Sequence, residues 1–127
     1  VCVIDIDGFG ELNELYGLPA GDRVLRELAS LLREAVTAPD LLARTGEDEF
    51  GVCLERCTLE RARTIAESLR HAIDAHRVHW QSAHIGVHVS IGIAELAGRG
   101  ASQVAALTRA TRACALAKRA GGNRVRA

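Results

Sequence analysis

The sequence has no methionine, no net charge, no long apolar run and no paired cysteine motif, and each gap removes a class of function. Sixteen basic residues balance sixteen acidic ones, so the chain lacks the positive field that general nucleic-acid or anionic-membrane binding requires. No apolar stretch approaches the roughly 20 residues of a membrane span, and nothing resembles a cleavable leader. A cytoplasmic domain without direct membrane contact is therefore expected, in a parent protein that other segments are free to anchor. Val1 already lies in an apolar run and the sequence carries no start methionine, so a piece of a longer protein is expected. Cys2, Cys53, Cys57 and Cys114 show no CxxC spacing, which predicts reduced, mostly buried thiols. Histidines at 71, 76, 79, 84 and 88 include pairs three or four apart. His84 and His88, however, fall in an alternating pattern, where a separation of four spans more than about 13 Å, too far to share an ion.

A chain of 127 residues is long enough to bury one core, so a single domain over 1–127 is expected, without internal repeats or linkers. The run VCVID reads as a buried strand that ends at Asp5. Residues 9–16 suit a short helix stopped by Gly17. Pro19 and Gly21-Asp22 open a second helix, with Val24, Leu25, Leu28, Leu31, Leu32 and Ala35 on one face. LLART and EFGVCLE read as a hairpin around Gly46-Glu47-Asp48. Leu59, Ala62, Ile65, Ala66, Leu69 and Ile73 mark a third helix. Residues 78–80 and 85–96 supply further strand, the second alternating through Ile85, Val87, Val89, Ile91 and Ile93. Gly98-Arg99-Gly100 reads as a loop. Ser102 is placed as the N-cap of a last helix whose apolar face is Val104, Leu107, Ala110, Cys114 and Ala117, and NRVRA as a final strand. The order β-α-α-β-β-α-β-α-β predicts an α/β (α+β) fold, a mixed β-sheet covered by helices.

Two acidic loops leave strand ends: Asp5-Ile6-Asp7 and Glu47-Asp48-Glu49. With the first strand central and the hairpin beside it, they meet at one edge and can hold Mg²⁺, an ion suited to phosphoryl transfer. A solvated acidic turn is the alternative reading of each loop taken alone.

DIDGFGELNELYGLPAGDRVL, RTGEDEFGVCL, VSIGIAEL and AKRAGGNRV resemble, in order and spacing, the four signature stretches of GGDEF domains. The resemblance spans nearly the whole chain. It implies a fold similar to that of class III nucleotidyl cyclases, with a ferredoxin-like core, and an activity in which two GTP molecules on a homodimer become cyclic-di-GMP and two pyrophosphates. It implies Asp5, the Ile6 carbonyl and Asp48 as ligands of Mg²⁺ or Mn²⁺, with Asp48 and Glu49 as the catalytic pair of the motif and Asp48 helping to activate the ribose 3′-hydroxyl. Asn13 and Asp22 match the guanine readers; a carboxylate accepts from guanine N1–H and N2–H₂, donors that adenine lacks. Asp22 is equally explained as a helix-start carboxylate. Phe9 and Gly10 occupy the phosphate-wrapping turn, Gly46 and Glu47 the hairpin beside the nucleotide, and Lys118 the phosphate-binding lysine position.

The departures from the pattern fall together. Glu47 replaces the second glycine of the motif, adding bulk and like charge beside a triphosphate. Gly10 stands where lysine is usual, Gly122 where arginine is usual and Leu18 where histidine is usual, and the arginine of the Arg-x-x-Asp inhibitory pair is Thr37, although Asp40 is kept. The stretch FGVCLERCTLERARTIAESLR with Trp80 resembles GGDEF domains fused ahead of EAL phosphodiesterase domains, so neighbouring sensor and EAL domains are expected. A degenerate, regulatory GTP-binding domain is the leading expectation, an active cyclase or a ligand-free docking module the alternatives.

Overall fold

The computed structural model describes residues 1–96, 98 and 102–127. Its elements run β1 (Cys2–Ile6), α1 (Phe9–Tyr16), α2 (Leu18–Ala35), β2 (Leu41–Arg44), β3 (Glu49–Cys53), α3 (Leu59–Ala75), β4 (Arg77–Trp80), β5 (Ala83–Gly86), β6 (Val89–Ile93), α4 (Gln103–Arg119) and β7 (Arg124–Arg126). Five strands form one mixed sheet in the order β2-β3-β1-β6-β7, antiparallel except for the parallel β6–β7 pair. The fold is the expected α+β sheet covered by helices, and β1 is its central strand.

The pleat of β1 divides the molecule. Cys2, Ile4 and Ile6 face a large aliphatic core shared with Val24, Leu28 and Leu32 of α2 and Ala66, Leu69 and Ile73 of α3. Each large side chain fully buried there contributes about 1.5–3 kcal/mol. Val3 faces the other way, packing with Ala94 and with Ala110 and Cys114 of α4. Asp5, two residues on, is on that same face. Helix starts follow from their caps: Thr58 Oγ1 accepts from the Arg61 amide at 3.1 Å, and Ser102 Oγ from the Ala105 amide at 3.1 Å, as the sequence predicts for Ser102.

Several expectations are corrected. The single run over 85–96 is two strands: β5 pairs with β4 in a separate two-stranded sheet, while β6 pairs with β1. The ladder breaks at Val87-His88, where the His88 carbonyl instead accepts the Asp7 amide at 2.9 Å. Alternation also fails within β6, whose five residues are all buried because both faces of the sheet are covered. In α4 the buried face is Ala106, Ala110, Ala113, Cys114 and Ala117; Val104 and Leu107 are exposed. The cause is proximity, since a Cβ on Gly92 of β6 would collide with the Ala110 carbonyl and the Cys114 amide, so only small residues fit between helix and sheet. Ala35 of α2 is likewise exposed. Cys2 and Cys114 are buried, but Cys53 is exposed and Cys57 half-buried. Of the expected 98–100 loop, Arg99 and Gly100 lie outside the described residues. No described helix is long and apolar enough to cross a membrane.

Candidate functional site

The antiparallel pairing of β1 with β3 sets Asp5 opposite Glu49, and the Ile6 amide donates to the Asp48 carbonyl at 3.0 Å. The two acidic loops therefore do meet at one edge. Three further elements converge there. On the α4 side, Cys114 is fixed against β6, its Sγ donating to the Ser90 carbonyl at 3.3 Å. Lys118 follows one helical turn later on the same face and comes to lie over Asp5. Its ammonium donates to Asp5 Oδ1 at 2.6 Å and to the Ile6 carbonyl at 3.2 Å.

Burial raises the Asp5 carboxyl above its ordinary value, even though the Lys118 bond works against that rise, and Asp48 and Glu49 add to it. For Lys118, burial opposes the charge, but the hydrogen bond to Asp5 and the attraction of Asp5, Asp7 and Asp48 outweigh it, and its pKa is raised. The ammonium is thus a resident cation among three carboxylates, Asp5, Asp7 and Asp48.

Asp7 belongs to this edge as a scaffold. Its carboxylate accepts from Ser90 Oγ at 2.7 Å and from the Asn123 amide at 2.8 Å, tying the first loop to β6 and to the turn after α4. Glycine suits that turn: Gly122 has φ +72°, and a Cβ there would sit 2.6 Å from Asp7 Oδ2. Arg70 of α3 supports it from behind, donating to Asn123 Oδ1 at 2.9 Å. Asp7, Gly8, Lys118, Gly121 and Gly122 line a recess of about 250 Å³. Beside it begins α1, whose first amides, at Phe9, Gly10 and Glu11, have no acceptor within the helix and favour an anion. Phe9 itself is buried as an anchor, while Gly10 is exposed with open space around its Cα. A recess of about 290 Å³ at the far end of β1, lined by Val1, Cys53, Cys57 and Leu59 among others, contains none of the candidate residues.

In the hairpin, Arg44 Nε donates to the Gly46 carbonyl at 3.1 Å and its Nη2 to the Glu47 carbonyl at 2.7 Å. Glu49 Oε2 accepts from Thr45 Oγ1 at 2.7 Å. Glu47 is exposed and is not among the residues with positive φ, so the glutamate sits in the turn without backbone strain. On α1, Asn13 Oδ1 is buried with no hydrogen-bond partner among the described residues, an arrangement possible only because Gly21 has no side chain to fill that space. Asp22 is exposed and paired with Arg26 at 2.8 Å. Asp40 of the expected inhibitory pair accepts the Glu55 amide at 2.8 Å and holds the loop after β3.

Among the described residues no three or more His, Cys, Asp or Glu side chains are arranged as a metal cage. The set implied by the resemblance is different: two carboxylates and a carbonyl, with waters and phosphate oxygens completing the shell of a hard ion. Its fit is supported by Lys118, whose cationic head already satisfies Asp5 and the Ile6 carbonyl. Four of the five histidines are committed elsewhere: His76 pairs with Glu27 at 2.8 Å, His88 with Asp74 at 2.7 Å, and His79 stacks edge-on with His84. In the sequence Asp7 stands out only as part of an acidic loop, and Ser90, Arg44, Arg70 and Asn123 are not singled out. Ser90, Arg44 and Asn123 lie inside the signature stretches, which is the signal available for them, whereas Arg70 lies outside all four.

Comparison with known proteins identifies the family and agrees with the fold. The family model "Diguanylate cyclase, GGDEF domain" matches residues 1–124. The chain is 37% identical over 122 residues to the probable diguanylate cyclase DgcE of Escherichia coli, covering 96% of this chain and 11% of that protein. It is 38% identical over 125 residues to the diguanylate cyclase DgcP of Pseudomonas aeruginosa, covering 98% and 18%. The chain thus spans less than a fifth of the length of these two relatives. Among solved structures, the GGDEF domain of DgcB from Caulobacter crescentus in complex with c-di-GMP superposes with a TM-score of 0.92 at 31% identity, covering 98% of this chain and 74% of that one. With the family model matching nearly the whole chain and the fold in agreement, the chain belongs to the GGDEF domain family of diguanylate cyclases.

Proposed function

We propose that this domain binds GTP with Mg²⁺ or Mn²⁺ at the β1–β3 edge, makes little cyclic-di-GMP, and regulates a neighbouring output domain of its parent protein. The observation that carries this reading is an imbalance at one site. The metal-side groups Asp5, Ile6, Asp48 and Lys118 are assembled within hydrogen-bond or electrostatic reach, whereas the positions that would neutralise a triphosphate hold Gly10, Gly122 and an acidic Glu47. Asp5, the Ile6 carbonyl and Asp48 would hold the ion. Bound there, it would neutralise phosphate charge and acidify the attacking hydroxyl. Asp48 would help take that proton, with Glu49 beside it. Lys118 would turn to the phosphates, over the first amides of α1.

Guanine recognition is supported by Asn13. An orphaned buried acceptor costs about 1–3 kcal/mol, which the Asn13 amide would recover by turning from Gly21 toward a donor on an incoming base. Asp22 would exchange its exposed Arg26 partner for the N1–H and N2–H₂ edge. A homodimer through the active-site face, sensor and EAL domains in the parent protein, and a cytoplasmic setting belong to the same reading.

A second reading, an active diguanylate cyclase, is favoured by one feature: Glu47 is exposed on an unstrained turn, free to point into water. Calorimetric titration with GTP and Mg²⁺, followed by chromatography of the products, separates the two. Saturable binding with little product supports the regulatory reading, robust turnover the active one, and no binding at all a docking module.

A further inference from the structure

We propose that Lys118 is a counter-cation that occupies the metal ligands until a nucleotide phosphate draws it away, so that metal and nucleotide bind as a coupled pair. This rests on the nucleotide site proposed above. Lys118 Nζ bonds Asp5 Oδ1 and the Ile6 carbonyl, two of the three groups assigned to the ion. An ammonium approaches its acceptors at about 2.7–2.9 Å, whereas Mg²⁺ requires about 2.0–2.1 Å and near-octahedral geometry. With Nζ on Asp5 Oδ1 and on the Ile6 carbonyl, the ammonium stands on the approach an ion would take to those oxygens, and its like charge opposes that ion.

Helix movement cannot clear the site, because α4 lies flush on Gly92 and is pinned through Cys114. The release must come from rotation of the lysine stem. That rotation has a destination, since Lys118 also lines the recess with Asp7, Gly8, Gly121 and Gly122, and it is the sole cation among those lining residues. A phosphate in the recess would attract the ammonium, free Asp5 and Ile6, and itself supply oxygens to the ion. Metal alone must instead displace the ammonium without compensation.

The test measures free Mn²⁺ by electron paramagnetic resonance with the 127-residue chain, in the presence and absence of a non-hydrolysable GTP analogue. Lys118→Met is expected to bind Mn²⁺ alone at least about tenfold more tightly than the unaltered chain, the factor one charge-assisted hydrogen bond represents. The analogue should then tighten Mn²⁺ less in the variant than in the unaltered chain. Lys118→Gln, which keeps a donor without charge, should shift in the same direction and serves if methionine is not tolerated. Equal or weaker binding of Mn²⁺ alone by both variants, with Asp5→Asn still abolishing it, would overturn the competition while leaving the site assignment standing. Mn²⁺ binding that survives Asp5→Asn in the Lys118→Met background would place the metal elsewhere and remove both readings.

Discussion

Replacing Glu47 by glycine should raise cyclic-di-GMP formation more than any other single change. The backbone around the site is expected to survive the substitution, because Arg44 clamps the turn through the carbonyls of Gly46 and Glu47 rather than through side chains. The added backbone freedom costs about 0.5–1 kcal/mol of stability. The gain is electrostatic and steric. Glu47 is exposed, so a water-like dielectric applies, and one pair of unit charges at 4 Å repels by about 1 kcal/mol. The positive charge of Arg44 beneath the turn reduces this, while the several charges of a triphosphate increase it. Condensation needs two loaded domains face to face, so the term enters twice, about 2 kcal/mol or roughly thirtyfold in rate. Glu47→Gln separates the contributions by removing charge and keeping bulk. If charge dominates, it should recover most of the gain, and the deficit of the unaltered protein should shrink as salt rises. The assay is product per hour by chromatography, in the full-length parent as well as the isolated domain. Equal product from the unaltered protein and Glu47→Gly would refute the reasoning, as would a gain insensitive to salt and absent from Glu47→Gln, which would assign the effect to bulk alone.

Gly10 and Gly122 both stand where a cationic residue is expected, but the structure separates them. A Cβ on Gly10 meets nothing within 4 Å, so Gly10→Lys should tighten GTP binding without loss of stability, whereas Gly122→Arg must adopt φ near +72° and displace the Asp7 carboxylate from Ser90 and Asn123. The second variant should lose about 2–4 kcal/mol in urea titration, and unchanged stability would contradict the packing described. Gly92→Ala should be the most damaging small substitution, by about 3 kcal/mol or more, since its Cβ meets the backbone of α4; a soluble variant with normal thermal unfolding would refute this. Burial pushes the Cys2 thiol up to about 11 and the Cys114 thiol up to about 12, so the folded state retains protons that the unfolded chain gives up from about pH 9. Stability from these groups is complete below pH 9 and falls as pH rises toward 12, and the raised Lys118 pKa acts in the same direction. At neutral pH a thiol reagent should label Cys53 first, Cys57 more slowly, and Cys2 and Cys114 only on unfolding.

Much of the fold was legible because local periodicity and capping are properties of short segments. Val24, Leu25, Leu28 and Leu32 declared the buried stripe of α2, Ser102 the start of α4, and the apolar run before Asp5 a buried strand. The four signature stretches likewise supplied the candidate site residues without coordinates. Where the reading went astray, the deciding partner was distant. Large apolar side chains at Val104 and Leu107 looked like a core face, but the spacing between α4 and Gly92 admits only alanine and cysteine. Residues 85–96 looked like one strand, because alternation cannot show that β5 pairs with β4 while β6 pairs with β1. The sequence by itself thus determined which segments become helix and strand and which chemical groups the edge of the sheet carries. Only the tertiary structure decided that Lys118 sits on Asp5 across 113 positions, that Asp7 braces the glycine turn, and that Asn13 keeps a buried acceptor unpaired. Those contacts depend on the pleat of β1, the register of β3 and the close approach of α4, none of which a local pattern encodes.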